Sequence, residues 1–119
     1  MYMDKPPVKK IIVKFYKTEA GNEPVKSWLK GLSREDRKTL GEDIKTVEIG
    51  WPLGMPLVRK LCDRLWEVRS DISDKRIARV LFTIKGSVMY LLHGFVKKAQ
   101  STPKTDLETA KDRRNNILK

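Results

Sequence analysis

Apolar residues follow two rhythms along this chain. Between Pro24 and Gly50 they recur every three or four positions; on either side they alternate or run together. Val25, Trp28, Leu29 and Leu32 lie along one side of a helix that opens at Pro24, a residue suited to a first helical turn, and closes at Gly31. Ser33, with Asp36 three residues on, caps a second helix whose apolar face carries Leu40, Ile44 and Val47 and which ends near Gly50. Ahead of these, Ile11-Ile12-Val13-Lys14-Phe15-Tyr16 is short and β-rich, a first strand, and the polar stretch from Thr18 to Glu23 is a loop. Trp51 to Pro56 contains two prolines and a glycine and breaks regular structure. Three strands are expected next, at about 65–70, 76–84 and 87–97, joined by a turn at Asp71 to Asp74 and a tight hairpin at Lys85-Gly86-Ser87. A last, weakly amphipathic helix starts at Pro103, or at Thr105 with Glu108 completing its cap.

The expected order is β-α-α-β-β-β-α. Strands joined by short turns are antiparallel neighbours, and a short first strand has to join the same sheet to persist. The two early helices then cover one face of an α+β fold, and the other face is left partly open. Alternation decides what lines that face. Trp66 and Val68 point one way and Arg69 the other; Ala78, Val80, Phe82 and Ile84 point one way and Arg79 the other. His93, Phe95 and Lys97 share a side, with Tyr90 in the opposite phase and assigned to the core. Side-by-side pairing would gather Arg69, Arg79, His93 and Lys97 on one surface.

Charge narrows the partners of such a surface. With 26 Lys and Arg against 15 Asp and Glu, the 119-residue chain carries a formal charge of +11. That balance favours a polyanion, most often nucleic acid, over the alternatives of an acidic protein or an anionic membrane. No apolar run is long enough to span a bilayer, and the polar start with Pro6-Pro7 lacks the apolar core of a secretory signal. The single cysteine, Cys62, permits no intrachain disulfide and fits a reducing, cytoplasmic setting. One His and one Cys give no metal-ligand spacing, so neither metal nor cofactor is expected. Residues 1–10 read as an arm and 11–119 as one domain.

Taken in order, Leu65-Trp66-Glu67-Val68-Arg69, Arg79-Val80-Leu81-Phe82 and Leu91-Leu92-His93-Gly94-Phe95-Val96-Lys97-Lys98, followed by Gln100-Ser101-Thr102-Pro103, resemble the phage-related, HigB-like branch of the RelE/ParE toxin superfamily. Phe95, Lys97, Lys98 and Pro103 carry the most specific part of that likeness. The resemblance implies a small antiparallel sheet with helices and a cognate antitoxin, often a helix-turn-helix DNA-binding protein with an acidic segment. For most members it also implies cleavage of messenger RNA on the ribosome. The ParE branch is the alternative: it inhibits DNA gyrase and cuts nothing. Better-studied HigB toxins use more than one histidine, whereas this chain has one.

Metal-free RNA cleavage needs a proton acceptor for the ribose 2′-hydroxyl and cations for the charge that builds on phosphorus. Arg69 and Arg79 offer planar forks for phosphate oxygens. His93 is the candidate acceptor, with Lys97 or Lys98 as substitutes if neighbouring cations depress their basicity. Phe95 is a stacking platform for a base, and Lys98, Gln100 and Arg76 are assigned to RNA contact. Structural roles compete with each assignment. His93 is equally a hydrogen-bonded sheet residue, Arg69 and Arg79 partners of Glu67 or Asp71, and Phe95 core. Lys111, Arg113 and Arg114 read as a solvated helix face, or as contacts to ribosomal RNA phosphates.

Overall fold

In the computed structural model, which describes residues 11–97 and 102–119, the chain runs β1 (Ile12–Phe15), α1 (Pro24–Lys30), α2 (Arg34–Gly50), β2 (Val58–Cys62), β3 (Leu65–Ile72), β4 (Arg76–Lys85), β5 (Val88–Lys97) and α3 (Lys104–Leu118). The arm at 1–10 and the assignments to Lys98 and Gln100 lie outside the described residues. The α+β class is as expected, with one strand more than the sequence pattern predicts. β2 follows directly on the proline-rich connection, and Arg59 and Lys60 interrupt its apolar residues. Its turn to β3 is Asp63-Arg64, with Arg64 at φ +52° rather than the glycine or asparagine such a turn favours. Local bonds hold that conformation: Arg64 Nη2 donates to the Ile84 carbonyl at 2.8 Å, and Thr83 Oγ1 donates to the Arg64 carbonyl at 2.7 Å.

The sheet order is β1-β5-β4-β3-β2, with β1 parallel to β5 and every other pair antiparallel. Helices α1 and α2 seal one face. Val25, Leu40, Ile44 and Val47 pack there on Val68, Val80, Phe82 and Leu91. Each fully buried Leu or Phe side chain contributes about 1.5–3 kcal/mol. Trp28 lies so close over β5 that a Cβ at Gly94 would sit 2.4 Å from its Cε3. Glycine is therefore what lets α1 seat on the sheet. The N-terminus of α2 is tied to the β3–β4 turn through buried Asp36. Its carboxylate accepts from Ser73 N at 3.0 Å, Ser73 Oγ at 2.9 Å and Arg76 Nη2 at 3.0 Å, and Ser33 Oγ caps the helix by accepting from Asp36 N. The Ser73 backbone N–H, foremost, holds the Asp36 carboxyl below its ordinary 3.8, against the opposing push of burial.

The second face is not open, as the sequence pattern implies. Helix α3 packs on it over Leu65, Leu81, Leu92 and Phe95, with Ala110 fully buried in the contact. Arg113 and Arg114 are not a solvated face. Arg113 Nη1 donates to the Leu92 carbonyl at 2.8 Å, and Arg114 Nη1 donates to the Asp63 carbonyl at 2.7 Å, so both pin the helix to the sheet. Among the described residues, no helix is long and apolar enough to cross a membrane.

Candidate active site

Cross-strand register gathers the site. Arg69 of β3 sits opposite Arg79 of β4, which sits opposite Phe95 of β5. The flanking rows are Glu67–Leu81–His93 and Asp71–Ile77–Lys97. Directly opposed residues share a face, so Arg69, Arg79, His93, Phe95 and Lys97 all lie on the α3 side of the sheet. A bulge lies just before His93. Leu81 pairs with His93 but Phe82 with Leu91, leaving Leu92 as an extra residue. The bulge also corrects the phase of Tyr90, which packs on the same side as His93, against the α3 cluster.

Depth differs sharply across these rows. Arg79 and Glu67 are both 0% exposed, with Arg79 Nη1 3.9 Å from Glu67 Oε1. Arg59 Nη1 approaches the other carboxylate oxygen at 3.9 Å from a half-exposed position. The Thr102 hydroxyl lies 3.5 Å from Arg79 Nη1 and 3.4 Å from Glu67 Oε1. Burial, foremost, pushes the Arg79 guanidinium below its ordinary value; the Arg69 and Arg59 cations add to that, and Glu67 opposes it. The expectation of two exposed arginine forks is therefore corrected. Arg69 is half-buried, and Arg79, directly opposite it on β4, is fully buried. Phe95 is buried in the α3 cluster, consistent with packing rather than an exposed platform, and Lys97 is exposed. Arg76 is engaged in the fold: its Nε donates to the Ser73 carbonyl, and its Nη2 pairs with Asp36.

His93 is held from both sides by α3. Its Nε2 lies 2.6 Å from Asp106 Oδ1, and its Nδ1 lies 3.4 Å from Arg113 Nη1. A guanidinium only donates, so Nδ1 bears the lone pair and Nε2 carries the proton shared with Asp106. The carboxylate fixes the tautomer, but Nδ1 is already turned to Arg113, so the ring serves as a proton acceptor only where that 3.4 Å contact opens. Asp106 and Arg113 are the partners that reading the sequence missed. Nothing in their spacing signals them, because their role depends on how α3 docks. Among the described residues, no group of three or more His, Cys, Asp or Glu lies together as a metal ligand set would.

One end of this surface is open. A groove of about 500 Å³ lies where the short β2 leaves β3 uncovered, bounded by Thr39 and Asp43 of α2, Leu57, Arg69, Asp71 and Ile77. It meets the cross-strand rows at Arg69, Asp71 and Ile77.

The family model described as Phage derived protein Gp49-like (DUF891) matches residues 27–115, from α1 through most of α3. The chain belongs to this family. Gp49-like proteins are a toxin family of phage-derived toxin–antitoxin systems, related to the RelE and HigB toxins and generally nucleases of that type. The match spans every strand of the surface described above, together with His93, Asp106 and Arg113. No curated protein matches the chain.

Proposed function

We propose that this Gp49-like protein is a HigB-like toxin of a type II toxin–antitoxin pair. It acts in the cytoplasm and cuts messenger RNA on the translating ribosome, without a metal. The single observation that carries the reading is the cross-strand set Arg69–Arg79–Phe95, with His93 and Lys97 in the adjoining rows, in a family of nuclease-type toxins. In the reaction, the ribose 2′-oxygen displaces the long Arg113 contact from His93 Nδ1, gives its proton to that nitrogen and attacks the adjacent phosphorus, with Asp106 holding the ring. The bond from phosphorus to the 5′-oxygen breaks, and the exposed Lys97 ammonium protonates the leaving oxygen. The products are a 2′,3′-cyclic phosphate and a 5′-hydroxyl. Arg69 meets the phosphate, and Arg79, buried opposite it against Glu67, holds that row in place. Phe95 shapes the floor. Lys98 and Gln100 are proposed RNA contacts beyond Lys97, and the remaining donors of Arg76 serve the same backbone. The cognate antitoxin, acidic in part and of the helix-turn-helix kind, would cover this cationic surface.

Induced expression, with new RNA 5′ ends mapped in the presence and absence of active ribosomes, tests the reading. New ends that need active ribosomes are expected. His93→Ala and Lys97→Ala are expected to relieve growth arrest while circular dichroism shows a folded protein. Arrest that persists in both variants sinks the site, and DNA-damage signalling with protein synthesis intact replaces the reading with gyrase inhibition.

A further inference from the structure

The groove beside Arg69 has the wrong charge for a phosphate track. In a chain of formal charge +11 it sets two carboxylates, Asp43 and Asp71, against one guanidinium, Arg69. Carboxylates repel the RNA backbone. What they bind in RNA is the N–H donors of a base edge. Guanine alone presents two adjacent donors, N1–H and N2–H, which one carboxylate accepts together. Adenine and cytosine place a ring acceptor next to their amino group, and uracil offers one donor between two carbonyls. Pro56, Leu57 and Ile77 supply apolar surface for the faces of a planar ring. Arg69 belongs to both groove and cross-strand rows, so a nucleotide with its phosphate on Arg69 has its base within reach of the acids.

Resting on the nuclease reading above, we infer that this groove is a guanine-selective base subsite next to the scissile phosphate. Asp43, half-buried on α2, and Asp71 on β3 are its hydrogen-bond acceptors. The selectivity is set by this open end of the surface and not by the His93 end, which α3 covers.

The test is cutting of ribosome-bound transcripts that differ by one G→A change at a mapped site. Full-length protein is used, and the ratio of cutting at the two sequences is read. Cutting at G is expected to exceed cutting at A on the order of ten-fold, the discrimination of one good bidentate base contact. Asp43→Asn and Asp71→Asn are read separately, with folding checked by thermal melt. At least one of them should bring the ratio close to unity, because an amide offers guanine a donor where an acceptor is needed. Glu42→Gln, exposed on the same helix but outside the groove, should leave the ratio unchanged. A wild-type ratio near unity overturns the subsite while the nuclease reading stands. So does a ratio that survives both acidic-site variants, including the case in which those variants weaken only the antitoxin complex. Absence of any cutting by the wild-type protein removes the nuclease reading and the subsite with it.

Discussion

Replacing Glu67 with Gln removes the counter-charge of a fully buried guanidinium while keeping side-chain shape. Glu67 Oε1 and Arg79 Nη1 are 3.9 Å apart, and neither side chain meets solvent. Unit charges at that separation attract by about 4 kcal/mol at an effective dielectric near 20. The second partner, Arg59, is 43% exposed, so its interaction is largely screened and adds little. Breaking one side of a buried pair typically costs about 3–5 kcal/mol, and the Gln amide keeps part of the polar contact, which argues for about 3 kcal/mol. In a domain of this size that lowers Tm by roughly 10–15 °C. Urea unfolding followed by far-ultraviolet circular dichroism measures the loss directly. The double variant Glu67→Leu with Arg79→Met should recover about 1–3 kcal/mol of it, because it removes both charges and refills the space. A single-variant loss below about 1 kcal/mol, or a double variant no more stable than the single, would refute the idea that Glu67 is the group neutralising Arg79.

Three further outcomes follow from the same geometry. Gly94→Ala drives a methyl group into Trp28 and should cost about 1–3 kcal/mol, seen as a lower melting temperature; Trp28→Leu in the same chain should return part of it. Asp36 has a folded-state pKa below its ordinary 3.8, so its contribution to stability is complete above 3.8 and lost as pH falls through the lower folded value. Asp36→Asn should therefore be less stable at neutral pH and flatter in an acid titration below pH 4, and an unchanged acid slope would contradict the network. Asp106→Asn should lower the cutting rate on the order of ten- to a hundred-fold and alter its pH profile, since it frees the His93 tautomer; a profile identical to wild type would make Asp106 a packing residue only.

Much of the site is legible in the alternation of side chains. Arg69 and Arg79 share a face because β3 and β4 pair without slippage, so parity read from each strand carries across. Glu67 has the same parity, and its pairing with Arg79 is one of the alternatives the sequence leaves open. The rest depends on contacts between distant segments. No local rule announces the extra residue at Leu92, which turns Tyr90 and His93 to one side. β2 is hidden because a turn of Asp and Arg lacks the usual residues. The docking of α3 is the largest gap. Its apolar stripe is weak, and Arg113, Arg114 and Asn116 fasten it to backbone and tyrosine oxygens far away in sequence. That docking converts an open cationic face into a roofed one and supplies Asp106. The bond from Arg76 to Asp36, forty positions earlier, is likewise announced by no local pattern.

The parallel pairing of β1 with β5 has a consequence for assembly. The earliest strand waits for the latest one: Ile12 aligns with Val88, and the intervening chain must be threaded before that ladder can close. Closing so wide a loop makes this a late and comparatively slow event. A polypeptide interrupted before Val88 lacks both the imidazole and the neighbour that its leading segment needs. On the proposed reading, growth arrest would be reserved for finished molecules, and stalled or truncated ones should be innocuous to the cell that makes them.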